Sequence, residues 1–202
     1  MNKTHLHYYW WTYALVAAVS ILVWTTAFSA KLSPEDNERL HILYVGENLN
    51  RYKLEQEVKE VLPALTNQKV QQVKVSQITV SGMQVYQVLD TRRYEYDIIL
   101  ISDGYLQENM GTALFRTAMT EAMQQMLSAY DLYAEGNGAG SAPCGVQLDQ
   151  VKWKNFCITE EECYLFISPE SVNFGGLNGK GRAEDDCGLR VMEYILKGGV
   201  TP

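Results

Sequence analysis

The chain has 202 residues, 47% of them hydrophobic and 20% charged, which is the composition of a globular protein and the length of one ordinary domain with an appendage. The formal net charge is −7, and the densest basic spot is Arg92-Arg93. That argues against a nucleic-acid surface, which needs clustered Lys and Arg to meet phosphates.

In chain order, residues 1–9 read as a short cytoplasmic tail. Residues 10–30 read as a transmembrane anchor or an uncleaved signal. No Lys, Arg, Asp or Glu occurs between Thr4 and Ala30, and a membrane-crossing helix takes about 20 mostly apolar residues. The collar Tyr8-Tyr9-Trp10-Trp11-Thr12-Tyr13 suits a membrane interface, where a ring is half buried and half wet. The alternative is a cleaved secretory peptide with Thr25-Thr26-Ala27 as a poor cleavage site. Lys3 on one flank nearly balances Lys31 and Arg39 on the other, so charge alone does not orient the helix. A short tail before a long translocated domain is the simplest arrangement. It expects a single-pass protein of the cell membrane with its C-terminal domain outside the cytoplasm.

Residues 31–40 form a polar linker, and residues 41–202 the domain. His41 to Gly46 reads as a buried strand closed by glycine. Leu54, Val58, Val61, Leu62 and Leu65 then repeat at helical spacing, with Pro63 expected to end or kink that helix. Val70 to Val80 is β-branched, and Met83 to Leu89 is a shorter amphipathic piece. Tyr96 to Gly104 carries the strongest strand, an apolar run without alternation, which suggests a parallel strand covered on both faces. A long helix is expected along the stripe Phe115, Ala118, Ala122, Met126 and Tyr130, followed by a loop over 135–143. A hairpin is expected around Cys157 and Cys163, then a last helix starting near Glu184-Asp185-Asp186 and stopping at Gly198-Gly199. The alternation predicts an α/β fold with a mostly parallel sheet and helices on both faces, behind one N-terminal transmembrane helix.

The chemistry-bearing stretches are few. Phe174 to Gly181, "FGGLNGKG", resembles a phosphate loop in composition only. Its glycine spacing is wrong, and Gly181 stands where a hydroxyl should hold magnesium. Gly136 to Gly140 follows a helix rather than a strand, so no dinucleotide fingerprint is present and no cofactor is expected. The four cysteines have no metal-ligand spacing, so no metal is expected. Either they form disulfides, Cys157-Cys163 and Cys144-Cys187, or all four are reduced thiols. Glu160-Glu161-Glu162 reads as a solvated turn. Open parallel sheets bind ligands beyond the carboxyl ends of their strands. That makes Glu47 and Asn48, after the first strand, and Ser102 and Asp103, after the central one, the candidate ligand-binding residues. The competing reading has Asn48 and Asp103 capping helices or shaping turns.

The segments "LHILYVGENL", "MQVYQVLDTRR" and "YEYDIILISDGYL", with the tail from Tyr164 onward, resemble the first lobe of an extracellular solute-binding protein, the receptor component of bacterial import systems. Those receptors close two lobes around a ligand, whereas this domain has the length of one. The resemblance implies a membrane-held, non-catalytic domain with a protein partner in the envelope, or weak small-molecule binding at the strand ends. An envelope hydrolase or a thiol-redox enzyme using Cys157 or Cys163 is the rival class, and a purely structural anchor the third.

Overall fold

The computed structural model describes residues 3–32, 34–79, 83–108, 118–134, 142–157 and 161–199. The chain divides into two compact units, residues 1–35 and 36–202. In the first, α1 (Lys3–Leu32) is one continuous helix. Its window Tyr9–Phe28 is long and apolar enough to span a bilayer, and none of that window is buried. Thr25 and Thr26 turn their hydroxyls back onto the carbonyls of Leu22 and Val23, so neither polar group is left unpaired along the helix.

The second unit is built on one six-stranded sheet. Its strands are β1 (Arg39–Val45), β2 (Gln72–Ile78), β3 (Ile98–Ser102), β4 (Leu132–Tyr133), β5 (Gly145–Gln147) and β6 (Cys163–Ile167). Their spatial order is β2-β1-β3-β6-β5-β4. β1 is parallel to both β2 and β3, but β6, β5 and β4 are all antiparallel to their neighbours. The sheet is therefore mixed, which corrects the expectation of a mostly parallel one. The cause lies in what an unbroken apolar run reports. β3 and β6 are both buried at every position, and burial on two faces says nothing about strand direction.

Helices cover both faces. On one side, α2 (Arg51–Leu65) and α7 (Cys187–Leu196) bury Leu54, Val58, Val191 and Ile195 against Leu40, Ile42, Leu100 and Leu165. On the other, α3 (Met83–Gln87) with the π-helical turn Val88–Arg92, and α4 (Asp103–Glu108), bring Val85, Leu89 and Leu106 onto Leu43, Val45, Ile99 and Ile101. Asn50 caps α2 through Lys53 N at 3.0 Å. Pro63 sits in the last turn, and the helix ends two residues later at Leu65.

Three boundaries differ from expectation. β1 begins at Arg39, two residues early. The described part of the long helix is only α5 (Glu121–Met126), capped by Thr120; the expected stretch from Phe115 to Thr117 lies outside the described residues, as do 135–141 of the expected loop. Cys157 is not on a hairpin strand. It follows the short α6 (Gln150–Trp153) and makes a single bridge to Leu49, while the hairpin partner of β6 is β5; the expected tip at 158–160 lies outside the described residues.

Candidate functional site

The parallel strands β1 and β3 end side by side, with Val45 in register with Ile101. After β1 the chain leaves to the face of α2, and after β3 it leaves to the face of α4. Connections that depart to opposite faces open a crevice between adjacent strand ends, which is where open α/β sheets take ligands. Glu47, Asn48, Ser102 and Asp103 all stand at this edge.

Their environments differ. Glu47 is exposed and accepts from Tyr105 Oη at 3.2 Å. The single phenolic proton of Tyr105 is shared with the nearer Thr79 O at 2.7 Å, which ties the start of α4 to the residue after β2. Asn48 is half-buried and donates through Nδ2 to Glu161 Oε2 at 2.9 Å. Asp103 opens α4, and its backbone N–H donates to Glu162 O at 2.9 Å. Ser102 is fully buried, and its Oγ has no hydrogen-bond partner. Asn48 caps no helix; that role belongs to Asn50.

β6 runs antiparallel to β3, so its first residue, Cys163, pairs with Ser102 and its leading acids arrive at the same edge. Glu162 accepts from Gln147 Nε2, Gln150 Nε2 and Tyr164 Oη at 3.4, 3.1 and 3.4 Å. Burial, with Asp103 and Glu162 beside it, pushes the Tyr164 phenol up to about 12. Glu161 and Glu162 are therefore part of the edge rather than a free turn. The only sequence signal is their position directly before an apolar strand, and it carries meaning only once the direction of β6 is known.

Beneath the edge, on the α2/α7 face, Tyr44 of β1, Ser102 of β3 and Cys163 of β6 lie in neighbouring strands. Tyr44 Oη and Trp153 Nε1 are buried and stand beside the Cys157 thiol without hydrogen-bond geometry to it. All four cysteines are free. Cys144 belongs to the α3/α4 side of the core and Cys187 to the α2/α7 side, with the sheet between them. The expected Cys144-Cys187 pair is thus corrected, since a disulfide needs its Cα atoms within about 7 Å. Cys157 and Cys163 both border Tyr44 but are unbonded.

Burial, with the Glu161 carboxylate nearby, pushes the Cys157 thiol up to about 12, and burial holds Cys163 and Cys187 well above the ordinary range. A thiol held that high has roughly a thousandth of the usual thiolate. Native protein at a pH of about 8 is therefore expected to alkylate orders of magnitude more slowly than the urea-unfolded chain. One fast-reacting cysteine in the native state would restore a thiol enzyme to consideration. His41 offers Ser102 no base, because it sits four residues before the end of β1, on the order of 13 Å away along the strand.

The glycine loop lies at the opposite end of the sheet, after Ile167. Gly175, Gly176, Gly179 and Gly181 have φ of 58°, 75°, 77° and 68°. Lys180 Nζ pairs with Glu170 Oε2 at 2.8 Å, and Asn178 Nδ2 donates to Ser171 O at 2.7 Å. Its glycines make turns, and its lysine already has a counter-ion.

The second unit is thus a mixed α/β domain whose β1 and β3 ends bring the four candidate residues to one edge of the sheet, in a chain whose first helix is long enough to span a membrane. Compared with known protein families, curated proteins and solved structures, the chain matches none.

Proposed function

We propose that this is a single-pass membrane protein whose acidic α/β domain stands outside the cytoplasm and acts without catalysis, as an interaction or accessory component of an envelope or transport system. The observation that carries the reading is the unburied apolar window Tyr9–Phe28, joined to a unit, 36–202, that has its own two-sided core. The suppressed thiols at Cys157 and Cys163 favour the same reading over a thiol-redox enzyme. The test is crosslinking in native membranes together with protease treatment of intact cells. Expected are cleavage of the domain from outside and recurrent recovery of one membrane complex. A domain protected in intact cells, or no companion above the level of an unrelated anchored domain, would overturn the proposal.

The convergence of Glu47, Asn48, Ser102 and Asp103 on the crevice favours a second reading, weak binding of a small molecule there. Every charge in this group and its neighbours Glu161 and Glu162 is negative, which selects a cationic ligand such as a protonated amine. Ser102→Ala with Asp103→Asn should weaken that binding. If amines shift the melting of wild type and the double variant equally, the crevice is not their site.

A further inference from the structure

A second recess lies at the other end of β1, on the α3/α4 side of the sheet. The cover formed by α3 and the turns up to Glu95 buries Leu43 and Val45 but stops short of the beginning of the strands. Arg39 and His41 of β1 and Lys74 and Ser76 of β2 therefore line an open groove of about 310 Å³, with Tyr94 and Tyr96 as walls. His41 and Lys74 are direct register partners on adjacent parallel strands, so their spacing is fixed by the sheet.

The charges in the groove are not equivalent. Arg39 is neutralised by an ion pair with Asp36. Lys74 is exposed and has no ionic or hydrogen-bond partner among the described residues. His41 Nδ1 lies 3.1 Å from Glu95 O and donates to it, and Nε2 is buried without a partner among the described residues. With Arg39 held by Asp36 and the Glu95 carboxylate in the same lining, the groove has no net excess of charge, and the Lys74 ammonium beside Tyr94 and Tyr96 is its one cation without a partner among the described residues. A single ammonium facing a carboxylate across the groove suits a monoanion and not a polyphosphate.

We infer that this groove binds a small aromatic carboxylate. The carboxylate pairs with Lys74 Nζ, and the ring packs against Tyr94 and Tyr96. The site is separate from the strand-end crevice and stands whether or not the crevice binds anything.

The probe is 4-hydroxybenzoate, titrated calorimetrically into the full-length protein in detergent micelles, with acetate and benzylamine as comparisons. Binding is expected for 4-hydroxybenzoate, at least about threefold weaker for acetate, which has no ring, and absent for benzylamine. Lys74→Glu should weaken 4-hydroxybenzoate about tenfold or more, because it reverses the charge that the carboxylate pairs with. Tyr94→Ala should weaken it about threefold, and Ser102→Ala should leave it unchanged. Position 74 is exposed and has no partner among the described residues, so the Lys74→Glu fold is retained, and an unchanged melting temperature verifies that. Equal affinity in Lys74→Glu and wild type, benzylamine binding as tightly as the carboxylate, or no heat of binding up to about 10 mM would each overturn the assignment.

Discussion

Replacing Asp97 with alanine is expected to cost the domain about 3–5 kcal/mol, a large share of the stability of any small domain. The carboxylate is buried just before β3 and accepts three hydrogen bonds, from His41 N at 2.7 Å, from Ser171 Oγ, and from Asn173 Nδ2 at 3.0 Å. Asn173 is itself completely buried. It also donates to Arg39 O at 2.9 Å and accepts from Gln68 Nε2 at 2.9 Å. Truncating Asp97 strands three donors, at about 1–3 kcal/mol each before relaxation. Urea unfolding of Asp97→Ala measures the loss, and a loss below about 1 kcal/mol would show that the network contributes little. Asp97→Asn, which keeps the shape, should cost less and remain folded.

The same residue sets a pH dependence. Burial raises the Asp97 carboxyl above the ordinary aspartate range, outweighing the pull of its three donors. The folded state therefore holds this proton more tightly than the unfolded state does. The stability gained from it is fully present below the ordinary aspartate value of about 3.9 and is lost as pH rises through the folded value. The stability difference between wild type and Asp97→Asn should grow in favour of wild type as pH is lowered from about 7 toward about 4. Other carboxylates titrate alike in both proteins and cancel. A flat difference, or one of opposite slope, would contradict the assignment.

Gly46→Ala is expected to destabilise by about 2–4 kcal/mol. Gly46 has φ of 154°, and a Cβ there would lie 2.5 Å from Tyr44 Oη and 2.9 Å from Ser102 Oγ. The backbone has little freedom to yield, because Gly46 N donates to Ile78 O at 3.0 Å and Gln77 Nε2 donates to Gly46 O at 2.9 Å. Tyr44→Phe removes the nearest of the crowding atoms and keeps the ring. The Tyr44 hydroxyl is buried without a hydrogen-bond partner, so its removal alone should be neutral within about 0.5 kcal/mol, and it should recover part of the Gly46→Ala loss. Additive losses in the double variant would mean that the hydroxyl is not what the new Cβ meets, and that the backbone angle or the ring carbon Cζ, 2.6 Å away, is the cause. Because Gly46 lies over the candidate crevice, the same variants report whether a ligand there needs that close approach.

Much of the candidate edge is legible in the amino-acid sequence. "YVGEN" and "LISDG" each show an apolar run ending in a turn residue and then an acid, and two such strands placed side by side must bring Glu47, Asn48, Ser102 and Asp103 together. The glycine loop is legible as well, because phosphate binding demands a spacing that Gly175, Gly179 and Gly181 do not have. Glu161 and Glu162 look like a solvated turn and are not one, since three acids in a row carry no sign of the strands they meet. The expected cysteine pairing fails for a related reason. Cys144 and Cys187 look equivalent in sequence and are divided by the sheet.

By itself, the sequence determined what depends on nearest neighbours along the chain. It set the uncharged span from Thr4 to Ala30, the buried strands β1 and β3, the amphipathic α2 and the turns that close them. These follow from transfer of local apolar surface and from glycine and helix-cap geometry, which act over a few residues. Only the tertiary structure decided the direction of β6, β5 and β4, the arrival of Glu161 at Asn48, the clasp of Asp97 with Asn173, and the opening beside Lys74. Those contacts join residues 76 apart at Asp97 and Asn173 and 113 apart at Asn48 and Glu161. Over such separations each polar group finds its partner only through the packing of the sheet as a whole, because what is minimised is the unpaired polar surface left inside it.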